Sequence, residues 1–144
     1  MTRRDRPGRT HLRRRAERGA ATAFVVGMAV TLLSCAGLVV DGGTALNAKM
    51  KLADDVEQAA RAGAQEIDQI ALRQDGEVVV DEAAARSRAT SYLTALGYTV
   101  TAFDADGATV SITATDVVDA RVLTLIGVND FDIEASATAD AVTQ

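Results

Sequence analysis

The chain has 144 residues, room for one modest domain with appendages, and a net charge of −5. That charge is split, because residues 1–19 hold eight arginines against Asp5 and Glu17, a local +6 that leaves −11 on the rest. One cysteine excludes an intrachain disulfide and a cysteine-cluster metal site, and a basic arm without aromatic residues is ill suited to nucleic acid.

Residues 20–40, AATAFVVGMAVTLLSCAGLVV, carry no charged side chain. As a helix at 1.5 Å per residue they span about 31 Å, matching a hydrocarbon core of about 30 Å. Ser34-Cys35-Ala36 could also pass as the cleavage site of a secreted protein, and Leu32-Leu33-Ser34-Cys35 as a lipoprotein box. Either cut would leave Leu38-Val39-Val40 next to a new N-terminus in water, which favours an uncleaved membrane anchor. The arginines lie just before the span, and only Lys49 and Lys51 lie closely after it. The positive-inside rule then makes residues 1–19 a cytoplasmic basic arm and residues 41–144 extracytoplasmic.

After Asp41-Gly42-Gly43, read as the membrane-boundary motif, apolar and small residues recur at helical spacing: Leu46, Met50, Ala53, Val56, Ala60, Ala64, Ile67. This predicts an extended helix over 41–73, with a bend or a fray where the two glycines meet the membrane surface. Ala59/Gly63, Ala60/Ala64 and, within the span, Ala23/Gly27 form small-xxx-small pairs that let helices approach closely. They are candidate assembly surfaces; the competing reading packs Ala59 to Ala64 beneath the chain's own sheet.

The remainder, 74–144, reads as a small α+β head. QDGEV (74–78) is a turn, Asp81 an N-cap, and Ala85, Ala89, Tyr92, Leu93 and Leu96 the apolar stripe of a helix stopped by Gly97. Strands are expected at 98–103 and 108–115 around Asp104-Ala105-Asp106-Gly107, and at 130–139, where Phe131, Ile133, Ala135 and Ala137 alternate with polar residues. Asp116 is expected to cap a second short helix over 117–126, ended by Gly127. The fold class is thus α+β: a transmembrane helix extended into a long helix, then a three-stranded antiparallel sheet and two short helices.

Catalytic signals are sparse. The sole histidine, His11, sits in the basic arm, far from any exported nucleophile, and Cys35 lies in the apolar span. DADG (104–107) opens like a calcium loop, but the twelfth position is Thr115 where glutamate is needed. Asp54, Asp55 and Glu57 read as a solvated helix face. No enzyme, cofactor, metal or small-molecule substrate is expected.

The start RGAATAF, the span ending VVDGG and the helix ALNAKMKLADDVEQAARAGAQEI resemble the TadE/TadG-like proteins over about residues 15–67. LIGV (125–128) and FDIEASATA (131–139) add to the likeness. The resemblance implies a minor-pilin-like structural component of a tight-adherence (Flp) pilus or related secretion apparatus, with no catalytic residues to carry over. Its partners would be the lipid bilayer and other apparatus proteins met through helix packing. Cutting after Gly19 would put Phe24 where Flp-type prepilins carry glutamate, so the likeness is to the uncleaved kind. A membrane-tethered binding or sensing module, lipoprotein included, is the alternative.

Overall fold

A computed structural model describes the backbone of residues 10–141 and the side chains of residues 19–141. Most of the basic arm, His11 included, therefore lies outside the described side chains. The chain is α+β: one long helix, α1 (Thr10–Ala64), then α2 (Gln69–Gln74), α3 (Glu82–Ala95) and strands β1 (Thr99–Asp106), β2 (Thr109–Asp119) and β3 (Asp130–Asp140). Within α1 lies one segment long and apolar enough to cross a membrane.

The chain does not fray at Gly42-Gly43: α1 runs through both glycines without a break. Each costs about 1 kcal/mol of helix propensity relative to alanine. Packing of β3, β2 and α3 against α1 beyond these glycines works against that cost.

The helix ends earlier than its periodicity implies, at Ala64 rather than near residue 73. Segment 66–68 pairs instead with 79–81: Asp68 N donates to Val79 O at 2.8 Å and Asp81 N to Glu66 O at 2.8 Å. Asp68 then caps the separate α2, its Oδ1 accepting from Ile70 N and Ala71 N. Asp81 caps α3 as expected, accepting from Ala84 N at 3.0 Å. At the other end Tyr98 N bonds Leu93 O and Gly97 N bonds Thr94 O, a Schellman closure with Gly97 at φ 91°. Of the expected α3 stripe, Ala85, Ala89 and Leu93 are buried while Tyr92 and Leu96 are exposed.

The strands form an antiparallel sheet in the order β1-β2-β3. The β1–β2 hairpin closes tightly, with Asp106 opposite Thr109 and Gly107 at φ 58°. β2 continues to Asp119, so Asp116 is a strand residue rather than a helix cap, and Val117 and Val118 pair with Asp132 and Phe131. β-branched neighbours favour that extension. The expected helix 117–126 shrinks to a single 3-10 turn, Leu123–Ile126, stopped by Gly127 at φ 92°.

One sheet face covers α1. Leu52, Val56, Ala59 and Ala60 pack with Ala89, Leu93, Tyr98, Ile112, Ala114, Ile133 and Ala135. Leu46 and Met50, expected on the buried face of α1, point into the open. The other sheet face carries side-chain pairs Thr109–Asp140 (2.8 Å), Ser111–Thr138 (2.9 Å) and Thr113–Ser136 (3.0 Å), a polar ladder across β2 and β3.

Candidate functional site

The residues that tie the head to the apolar helix converge at Asp41. A lone carboxylate directly after an apolar run needs partners if it is buried, and Asp41 is only 2% exposed. Its partners are three consecutive N–H groups of the segment entering the 3-10 turn. Arg121 N donates to Oδ1 at 3.1 Å, Val122 N to Oδ2 at 2.9 Å, and Leu123 N to Oδ2 at 2.7 Å. Successive N–H groups aimed at one point form an anion-accepting nest, here filled by a side chain of the same molecule. The Leu123 N–H holds the Asp41 carboxyl below the ordinary aspartate range. Burial works the other way, and the N–H groups of Arg121 and Val122 and the Arg121 charge add to the lowering.

Four residues earlier, Gly37 provides the close approach this clasp requires. A Cβ there would lie 2.8 Å from Val122 Cγ1 and 3.3 Å from Leu123 Cδ2. The loop then descends beside the span, where Val30, Leu33 and Ser34 face Val122, Leu123, Leu125 and Ile126 across a cavity of about 210 Å³. Gly42 and Gly43 have open space where a Cβ would be, so the work of the boundary motif falls on Asp41.

The small-residue pairs divide. Ala59 and Ala60 are fully buried, Ala64 is 2% exposed, and a Cβ on Gly63 would meet Ala85 O and Val110 Cγ1, each at 3.3 Å. Close helix approach does occur there, but the neighbours are α3 and the sheet of the same chain, which occupy the place a second protomer was expected to take. Ala23 and Gly27 are exposed on the span. From its last turn onward, Val39, Gly43, Leu46 and Met50 form an exposed stripe at helical spacing on α1, continuous with the apolar segment.

Among the described residues no group of three or more His, Cys, Asp or Glu could hold a metal ion. The acidic knot resolves into separate roles: Glu57 pairs with Arg61, and Asp55 accepts from the Tyr98 hydroxyl at 2.8 Å. An open depression lies over the start of α3 between Asp68, Asp81 and Arg86. The Asp41 clasp is the feature that sequence reasoning missed. Its only local signal is a carboxylate following an apolar run, which reads equally well as a membrane boundary.

Residues 19–66 match the family described as "Putative Flp pilus-assembly TadE/G-like". The matched segment runs from the start of the apolar span to just past the end of α1, leaving α2, α3 and the sheet outside it. No curated protein and no solved structure matches the chain.

Proposed function

We propose that this chain is a single-pass, minor-pilin-like structural component that assists assembly of a Tad/Flp-type pilus or related secretion apparatus. The observation that carries the reading is the family match, which coincides with the apolar span and its unbroken helical extension. The arginines before the span and their near absence after it support a cytoplasmic N-terminus and an extracytoplasmic head. The similarity favours a structural over a catalytic role.

Partner proteins would pack on the face of α1 that the head leaves free. In the span this means Ala23 and Gly27, where short side chains admit a neighbouring backbone. Above the span it means Leu46 and Met50, each 60% exposed. The sheet covers the opposite face, so the head fixes which side of the helix is offered.

Photo-reactive residues placed at Gly27, Leu46 and Met50, and at Gln74 as a control, test this in the native membrane. Adducts to pilus platform or pilin proteins at the first three positions, and not at Gln74, are expected. Loss of the gene product with no change in pilus output, together with no adducts at any position, would sink the reading.

A further inference from the structure

The strongest unexplained surface is the 3-10 turn. Leu125 is 76% exposed, Ile126 57% and Val128 37%, clustered within four residues. No charged residue lies between Arg121 and Asp130. This apolar tip does not face away from the span, because it shares the 210 Å³ cavity with Val30, Leu33 and Ser34. At 1.5 Å per residue, Leu33 and Val30 lie about 12 and 16 Å below Asp41 along the helix axis.

That placement conflicts with a head held wholly in water. If residues 20–40 fill the hydrocarbon core, the tip lies inside it. Lifting the tip clear would withdraw residues 30–40 as well, leaving about 15 Å of apolar helix, too short to cross. The span cannot slide the other way to compensate, because Arg13, Arg14, Arg15 and Arg18 precede it.

We propose that residues 122–128 form a second membrane-inserted element, a short loop dipping into the leaflet nearest the head, with lipid acyl chains covering Leu125 and Ile126. The proposal rests on the reading of residues 20–40 as a membrane span. Backbone in hydrocarbon needs internal hydrogen-bond partners, and most N–H groups of this loop have them. Asp41 satisfies the N–H groups of Arg121, Val122 and Leu123. Leu125 N donates to Val122 O, Gly127 N to Thr124 O, and Val128 N to Leu123 O. The one hydroxyl, Thr124 Oγ1, donates to Arg121 O at 3.1 Å. Asp119 and Arg121 on one flank, with Asn129 and Asp130 on the other, mark where the loop returns to water. Asp41 therefore holds closed the inserted hairpin against the span.

The test uses the full chain, with Cys35→Ser, in phosphatidylcholine/phosphatidylglycerol vesicles. An environment-sensitive fluorophore is attached at Leu125→Cys, at Val26→Cys in the span, or at Gln74→Cys on the head; Ile126→Cys repeats the loop measurement. The label at 125 is expected to match that at 26, blue-shifted, quenched by nitroxide-bearing lipids, and several-fold less sensitive to aqueous iodide than at 74. If 125 behaves like 74 while 26 is shielded, the loop does not insert and the proposal fails alone. If 26 also behaves like 74, the span reading fails and takes the loop with it. Shielding at 125 that ignores nitroxide lipids and disappears when the protein is diluted into excess lipid would mean a second copy covers the tip, which also overturns the proposal.

Discussion

Asp41 on the long helix and Leu123 in the loop before the last strand are 82 positions apart in sequence and 2.7 Å apart in space, carboxylate Oδ2 to backbone nitrogen. With the bonds to Arg121 and Val122, this contact closes the chain on itself at the edge of the apolar span. Asp41→Ala would leave three N–H groups without acceptors, a larger loss than that of one ordinary hydrogen bond. The expected outcome is a lower melting temperature of the full-length protein in detergent. Amide exchange should quicken first at residues 121–123, while β1 remains protected.

The same contact predicts an acid dependence. Because the folded state holds the Asp41 carboxyl below its ordinary value, its contribution is intact above that value, about 3.9, and is lost as pH falls through the folded one. Thermal stability of the wild type should therefore drop below about pH 4 by more than that of Asp41→Asn, which starts lower and has no charge to lose. Equal acid sensitivity of the two proteins would contradict this.

Four glycines along α1 separate a packing role from a permissive one. Gly37→Leu drives a side chain into Val122 and Leu123, and overpacking of that kind costs about 1–3 kcal/mol. Loosening of the loop should register as faster exchange at Val122 and Leu123. Gly42→Ala and Gly43→Ala meet nothing within 4 Å and sit inside a continuous helix. Each should raise stability by up to about 1 kcal/mol through helix propensity. Destabilisation by both would mean that the backbone there is not regular helix. Gly27→Ala, on the exposed span, should reduce cross-linking to partners without lowering the melting temperature.

Local chemistry made much of this fold legible. Asp81 and Gly97 bracket α3 through side-chain capping and a positive φ, both written in single residues. The alternation of Ile133 and Ala135 with Asp132, Glu134 and Ser136 marks the buried face of β3 because a strand repeats every two residues. Contacts between distant segments were not legible. Helical spacing runs past Ala64 to Ile70, but segment 66–68 finds strand-like partners at 79–81. Leu46 and Met50 share a stripe with Val56 by periodicity, yet the head packs on another face of α1, through Ala48 and Leu52, and leaves them bare. Of the proposed site residues, Asp41 was visible as an oddity, but nothing near it in sequence points to residues 121–123.

Ala60 and Gly63 test whether their zone serves the chain's own core. Ala60 is fully buried, and Gly63 faces the backbone of α3 at Ala85 O. Ala60→Leu and Gly63→Leu should each lower stability by about 1–3 kcal/mol, read as a shift in denaturation midpoint. Partner cross-linking from Met50 should fall only in proportion to the folded fraction. Normal melting with abolished cross-linking would instead return this face to the assembly surface.

Tyr98 and Asp55 offer a probe of how firmly the sheet sits on α1. Tyr98 follows the glycine that ends α3, is 9% exposed, and donates its hydroxyl to Asp55 on α1 at 2.8 Å. Burial pushes the Tyr98 phenol up to about 12, with the hydrogen bond to Asp55 and its charge adding in the same direction. A raised folded value means the contribution is complete below the unfolded value near 10 and is lost as pH climbs towards 12. Tyr98→Phe should cost about 1 kcal/mol near neutral pH, since it removes one hydrogen bond to a carboxylate that keeps some contact with solvent. In a phenolate absorbance titration, the high-pH step should vanish in Tyr98→Phe and shift down in Asp55→Asn. If Tyr98 ionises near 10 in the folded wild type, the phenol is not held against α1, and the packing of the sheet on that helix would be wrong at its open end.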